Sequence, residues 1–269
     1  MHNDLITIGN FTLHGYSAMI ALGFILSLGL CYLRAKKDKD KVDMDIIGDF
    51  AIIAVLGGFL GAKILYLIVD YKELIRDPKS VIGFPQIFSG FVVYGGIIAA
   101  TIIMFIYGKI KKVDFLEYLD YIIPHVAIVQ GFGRIGCFLA GCCYGAETTS
   151  PLGVIFPEGS IAPAGVKLWP TQLFSAAGNF VIAGILFLAI YVIKLKKKGN
   201  ICVLYLLLYS VGRFLVEFLR NDARGNVGSL STSQFIAIFT FIAGLALGAY
   251  INIVKKDSQS DKNESKTDK

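Results

Sequence analysis

Apolar residues run through this chain in long unbroken stretches, with neither strand-like alternation nor a one-sided helical period. Seven of them, at about 16–33, 49–69, 91–107, 121–137, 171–193, 201–219 and 233–254, approach the ~20 residues that a helix needs to cross a bilayer. Continuous apolarity predicts helices over a barrel. The fourth stretch is the weakest, because Pro124 and His125 interrupt it. The expected fold is all-α: a seven-helix polytopic membrane domain over 1–254, with small loops at about 70–90 and 146–168. A tail over 255–269, rich in Ser, Asp, Lys and Asn, is expected to be disordered. Residues 1–13 lack the basic flank of a signal peptide, so the first apolar run is expected to be retained.

Composition excludes the main alternatives. Of 269 residues, 55% are hydrophobic and only 17% charged, where a soluble domain carries about a quarter charged residues. One core cannot hide so much apolar surface, so a soluble enzyme and a disordered chain are excluded. Five cysteines in this length do not make a disulfide framework. The net charge of +6 does not point to nucleic acid, because the basic residues gather in short tracts between apolar runs. Those tracts set topology. The loops after the first, third and fifth runs and the tail hold 17 Lys and Arg, against 6 in the alternate loops. The positive-inside rule then places the N-terminus outside and the C-terminus in the cytoplasm.

Ionisable groups inside membrane spans are costly and face a polar cavity or a partner. This chain has Lys63, Arg134, Arg213 and Glu217 within its apolar runs, with Asp120 and Arg220 near run ends. Given the expected topology, Lys63, Arg134, Arg213 and Glu217 fall in the outer half of the bilayer, as do Tyr16 and Tyr94. Arg213, Glu217 and Arg220 stand at i, i+4 and i+7, on one helix face. Glu217 neutralising Arg213 is the plain reading of that helix, but Lys63, Arg134 and Arg213 still outnumber one carboxylate. A cationic layer at that depth suits a phospholipid phosphate, which Arg binds bidentately.

The segment Gly133-Arg134-Ile135-Gly136-Cys137-Phe138-Leu139-Ala140-Gly141-Cys142-Cys143-Tyr144-Gly145 is the densest feature. Its small residues permit close approach of a neighbouring backbone or a ligand. Cys137, Cys142 and Cys143 fit no zinc spacing and have no nearby histidine, so neither metal nor cofactor is expected. Small packing thiols, a Cys137–Cys142 disulfide and a thiol nucleophile are the open alternatives. Cys31 and Cys202 read as packing. His14 precedes Tyr16 at the same end of its span, whereas His125 beside Pro124 reads as structural.

These residues resemble a known family, the prolipoprotein diacylglyceryl transferases. The segment 133–145 is similar to its Gly-Arg-(Ile/Leu)-Gly-Asn-Phe-x-Asn-Gly-Glu-x-(Trp/Tyr)-Gly signature, and Arg213-Phe214-Leu215-Val216-Glu217-Phe218-Leu219-Arg220 to its Arg-Phe-x-x-Glu-x-x-Arg segment. Tyr16-Ser17-Ala18-Met19, Gly61-Ala62-Lys63-Ile64-Leu65-Tyr66, Tyr94-Gly95-Gly96 and Pro170-Thr171-Gln172-Leu173 resemble further family motifs, in the same order along the chain. The resemblance implies a seven-span enzyme of the bacterial cytoplasmic membrane, monomeric, without a nucleic-acid partner. It would transfer the diacylglyceryl group of phosphatidylglycerol to the lipobox cysteine of a prolipoprotein. It implies catalytic roles for Arg134, Arg213, Glu217, Tyr94 and Tyr16. Substrate contacts would come from Lys63, Gly133, Gly136, Cys137, Cys142, Gly145, Gln172 and Arg220. The sequence departs from the family pattern where Tyr94 replaces a His, Cys137 and Ala140 two Asn, Cys142 a Glu and Lys63 an Arg. A paralogue with another lipid donor or acceptor stays open on those departures. A transporter or channel for lipid or anions is the alternative of another class, but it would spread its ionisable groups across the whole bilayer.

Overall fold

The computed structural model describes residues 4–8, 11–38, 42–83, 89–195, 197–221 and 225–267. In chain order it contains β1 (Asp4–Ile8), β2 (Phe11–His14), α1 (Gly15–Lys37), α2 (Met44–Val69), α3 (Tyr71–Arg76), α4 (Pro78–Ile82), α5 (Val93–Ile110) and α6 (Phe115–Ala140). There follow β3 (Val154–Ile155), β4 (Lys167–Leu168), α7 (Thr171–Leu188), α8 (Asn200–Glu217), β5 (Asn226–Val227), β6 (Leu230–Ser231) and α9 (Thr232–Thr267). The strands form three short antiparallel hairpins. Seven of the helices are long and apolar enough to cross a bilayer, one for each apolar stretch of the sequence. Their outward faces keep large side chains such as Ile25, Leu60, Ile98, Leu215 and Ile253 exposed, as lipid contact requires. Of the basic tracts, Lys39, Lys41, Lys196, Arg224 and Lys269 lie outside the described residues.

The chain divides into two compact units, one of 1–31 with 119–269 and the other of 32–118, where the sequence suggests one domain over 1–254. In the second unit α2 packs along α5. A Cβ on Gly61 would stand 2.6 Å from the carbonyl oxygen of Gly95, so the two backbones touch through small residues, as in small-xxx-small membrane pairs. Phe50, near the start of α2, takes edge-to-face contacts from Tyr107, Phe115 and Tyr118.

In the first unit, α7 buries Ala176, Asn179, Ile182, Ala183 and Leu186 along one face. That face meets Ile123, Ala127, Ile201, Cys202 and Tyr205 from α6 and α8 in the main core. The last turn of the fifth span loosens into a π-helical turn, Ala189–Ile193. Pro124 lies inside an unbroken α6. A proline ring disrupts the hydrogen bonds of the preceding turn, and His125 Nδ1 donates to the carbonyl of Tyr121 at 3.1 Å. His125 is buried against Phe187, which makes it structural, as the sequence suggests. The loop 146–168 is compact: Phe156, Ala162 and Leu168 form a small core with Phe138, Tyr144 and Val166 packed on it. Helix α9 continues as helical backbone to Thr267. Extending a formed helix needs no new nucleus.

One capping contact comes from across the fold. Asp120 of α6 accepts from the backbone N–H of Gly199 at 2.6 Å and of Cys202 at 2.8 Å, at the start of α8. Those N–H groups have no partner within their own helix, and a carboxylate also suits the positive end of the helix dipole. Asp120→Ala should therefore lower stability by about 1–2 kcal/mol, seen as a lower thermal unfolding midpoint in detergent micelles. Asp120→Asn should recover part of the loss, because its amide oxygen still accepts one bond.

Candidate active site

Helix α6 ends in a Schellman motif that is written in its sequence. The N–H of Cys142 bonds the carbonyl of Cys137 at 3.1 Å and that of Gly141 bonds Phe138 at 3.2 Å. Gly141 takes the left-handed conformation, φ +71°, which the residue after a helix end needs in this motif and which glycine adopts without strain. Cys143 is left-handed as well, at φ 63°, an uncommon conformation for a side chain larger than glycine. This double turn brings the sulfurs of Cys137, Cys142 and Cys143 within 4.8 Å of one another.

The start of α7 locks the turn. Thr171 Oγ1 donates to the carbonyl of Cys143 at 2.8 Å, and Gln172 Nε2 to that of Cys142 at 2.7 Å. Both residues are fully buried. The chain then runs between the end of α8 and the start of α7. Gly145 N–H bonds the carbonyl of Trp169 at 2.9 Å and Ala146 N–H that of Leu219 at 2.8 Å. A Cβ on Gly145 would lie 2.5 Å from the oxygen of Leu219 and 2.6 Å from Cβ of Trp169. At Gly136 the backbone of α1 comes close, with Tyr16 Cα 3.2 Å from an added Cβ. At Gly133 there is room, with only Ile20 at 3.9 Å.

Charge gathers at this same end of the unit. Arg213 Nη1 lies 2.8 Å from Glu217 Oε2, and Arg220 Nε 3.8 Å from the same oxygen. The Arg220 and Glu217 side chains are 2% and 5% exposed, so one shielded carboxylate serves two guanidiniums. Arg213 Nη2 also donates to Ser233 Oγ at 2.7 Å, at the start of α9. Arg134 is within electrostatic reach of Arg213 and shares a narrow cleft with it. About 50 Å³ in volume, the cleft is also lined by Ser175, Asn179 and Tyr209. Tyr16 is partly exposed, within electrostatic reach of Arg134 and all three cysteines. Hydrogen bonds from Cys137 and Cys142, and then from Arg220, hold the Cys143 thiol well below the usual thiol range. Cys142 is pushed the other way, chiefly by its hydrogen bonds with Cys137 and Cys143.

Tyr16, Gly136, Arg134, Cys137, Cys142, Gly145, Gln172, Arg213, Glu217 and Arg220 thus meet at one end of a single unit. Three of these residues also make structural contacts. Gln172 and Gly145 hold the cysteine turn in place, and Arg220 lies against Cys143 and Glu217. None of the five cysteines is in a disulfide, so the Cys137–Cys142 bridge is not formed. Lys63 and Tyr94 belong to the other unit. Lys63 is buried, and its ammonium donates to the carbonyls of Val81 at 3.2 Å and Ser89 at 2.9 Å, with the Tyr66 and Phe91 rings nearby. It ties α4 to Ser89 in the loop that follows. Tyr94 is partly exposed at the start of α5. Sequence reasoning missed Thr171 and Ser233 as supports, since only the folded turn shows what a lone hydroxyl bonds.

The sequence profile of the family described as prolipoprotein diacylglyceryl transferase matches residues 3–250. The chain belongs to this family. It is 47% identical over 233 residues to a phosphatidylglycerol–prolipoprotein diacylglyceryl transferase of Clostridium tetani, covering 87% of this chain and 91% of that relative. A second such transferase, from Clostridium perfringens, is also 47% identical, over 235 residues and 90% of its length. One from Clostridioides difficile is 31% identical over 258 residues, covering 93% of this chain and 98% of the relative.

Two substitutions separate structural from chemical roles at this site. Gly145→Ala should abolish accumulation of folded protein in the membrane, whereas Gly133→Ala should be tolerated; immunoblots of membrane fractions would show both. Arg213→Ala relieves a charge excess and leaves Glu217 beside Arg220. It should accumulate normally yet lose at least ~100-fold in transfer rate.

Proposed function

We propose that this enzyme moves the diacylglyceryl group of phosphatidylglycerol onto the lipobox cysteine thiol of a prolipoprotein, at the outer leaflet of the bacterial cytoplasmic membrane. The observation that carries this reading is a surplus of guanidinium groups among the described residues: Arg134 and Arg220 are within electrostatic reach of Arg213, and Glu217 is the carboxylate that meets Arg213 and Arg220, at the ends of membrane-spanning helices. A phosphodiester has the charge and the oxygens to fill it. The likeness to relatives named for this reaction supports the same substrates.

In this reading Arg134 and Arg213 hold the lipid phosphate, and Glu217 fixes the direction of Arg213. The acceptor sulfur attacks the glyceryl carbon next to the phosphate oxygen. The C–S bond forms as the C–O bond breaks, and glycerol 1-phosphate leaves with the oxygen and its electron pair. The leaving phosphate gains a second negative charge in that step. Fixed guanidiniums facing the growing charge stabilise the transition state more than the ground state. Tyr16 contacts the headgroup at the mouth of the site. The enzyme works as a monomer with its N-terminus outside, the orientation favoured by the distribution of Lys and Arg in the loops.

Purified protein in phosphatidylglycerol nanodiscs, given a lipobox peptide, should yield a thioether-linked diacylglyceryl peptide and one glycerol 1-phosphate per product. Mass spectrometry reads both. No thioether product, or consumption of phosphatidylethanolamine in preference, would overturn the assignment.

A further inference from the structure

We propose that Cys137, Cys142 and Cys143 bind a zinc ion through three thiolates, leaving a fourth position on the metal open for the acceptor thiol. The inference rests on the transferase reading, but the metal site itself stands on geometry. Three sulfurs lie within 4.8 Å of one another. Sulfurs at the tetrahedral Zn–S distance of ~2.3 Å are about 3.8 Å apart, so closing them onto an ion needs movements of under about an ångström.

The surroundings are those of a held ligand set. The carbonyls of Cys142 and Cys143 are fixed by Gln172 and Thr171, and the Cys143 sulfur takes a hydrogen bond from Arg220. Such outer contacts orient ligands and tune the metal. The αL conformation of Cys143 turns its thiol to the same side as its neighbour, which two consecutive extended residues would not do. All three cysteines are half-buried, so one side of the cluster stays accessible. Three protein ligands with an open position distinguish a catalytic zinc site from a closed structural one.

The reaction gives the metal a task. A thiol must lose its proton before it attacks carbon. Among the described residues, the polar side chains lining the arginine cleft are Arg134, Arg213, Asn179, Ser175 and Tyr209, and none is an effective base at neutral pH. Glu217 is engaged by two arginines. Zinc coordination deprotonates a thiol outright, and the proton passes to solvent. The zinc-bound sulfur then gives its electron pair to the glyceryl carbon, the C–O bond to phosphate breaks, and glycerol 1-phosphate departs. The thioether, a poorer ligand than a thiolate, leaves the zinc, which stays on its three cysteines without change of oxidation state. The cluster also lies within electrostatic reach of Tyr16, which is itself within reach of Arg134, so the metal site would stand beside the arginine cleft.

The test uses full-length protein in detergent under a non-thiol reductant, stripped with a chelator and loaded with Co²⁺. The expected result is one Co²⁺ per chain, with sulfur-to-cobalt charge-transfer absorption that Zn²⁺ abolishes by displacement. Cys137→Ser, Cys142→Ser and Cys143→Ser should each weaken or remove the band, while Cys31→Ser and Cys202→Ser keep it. Chelated protein should lose at least ~100-fold in transfer to a lipobox peptide and regain it with Zn²⁺. Absence of the band in wild-type protein, or its persistence unchanged in Cys143→Ser, would overturn the site. Metal binding without any effect on rate would overturn its catalytic role. If zinc-loaded protein shows the site yet forms no thioether from phosphatidylglycerol, the substrate assignment fails instead.

Discussion

A carboxylate shared between two buried guanidiniums sets the terms for this end of the molecule. Burying an ion costs several kcal/mol even after relaxation, and a pair recovers this only with good geometry and further hydrogen bonds. Glu217 lies 2.8 Å from Arg213, and Ser233 takes another of the Arg213 donors. Among the described residues, Glu217 is the carboxylate that meets Arg213 and Arg220, and the helix ends that carry these charges are also fixed by contacts other than ion pairs.

Those contacts are mostly backbone. The segment after α6 is held between α7 and α8 by hydrogen bonds from Gly145 and Ala146 and by the side chains of Thr171 and Gln172. Each bond fixes a main-chain carbonyl or amide, so the side chains of the turn stay available for chemistry. The same logic holds in the other unit, where Lys63 spends its charge on a carbonyl of α4 and one of the loop after it. A buried ammonium can be satisfied by dipoles and aromatic faces without any carboxylate, which is why its position in an apolar run did not reveal its task.

The parts legible in sequence are those whose signal is local. Apolar runs marked all seven spans, and the spacing of Arg213, Glu217 and Arg220 placed them on one helix face. Gly141 marked a helix end, and the signature glycines marked tight approaches, although Gly133 proved roomy. What stayed hidden depends on meetings between distant segments. Asp120 caps a helix through Gly199, 79 residues later, and a lone acidic residue at a span end carries no sign of that. The division into two units follows from α2 packing chiefly on α5, a matter of packing partners that hydropathy does not encode. The cysteines fitted no metal spacing because their convergence needs a left-handed Cys143, and no sequence pattern demands that conformation.

Charge ties the thiol cluster to the arginines. Among the described residues, and with neutral thiols, the three guanidiniums exceed Glu217 by two charges. Three thiolates on a zinc ion carry a net single negative charge, which halves that surplus. A lipid phosphodiester, also singly negative, then brings the pocket to neutrality. The acceptor thiolate adds one more negative charge, and the reaction moves that charge from sulfur to the departing phosphate without changing the total. A pocket whose net charge is constant through the step needs no counter-ion to enter or leave with the transition state. In a low-dielectric setting such a rearrangement would be costly. Cysteines at the positions of an asparagine and an acid thus fit binding of one anion beside them, because the thiolates supply the negative charge and the metal the proton removal that those side chains would otherwise share.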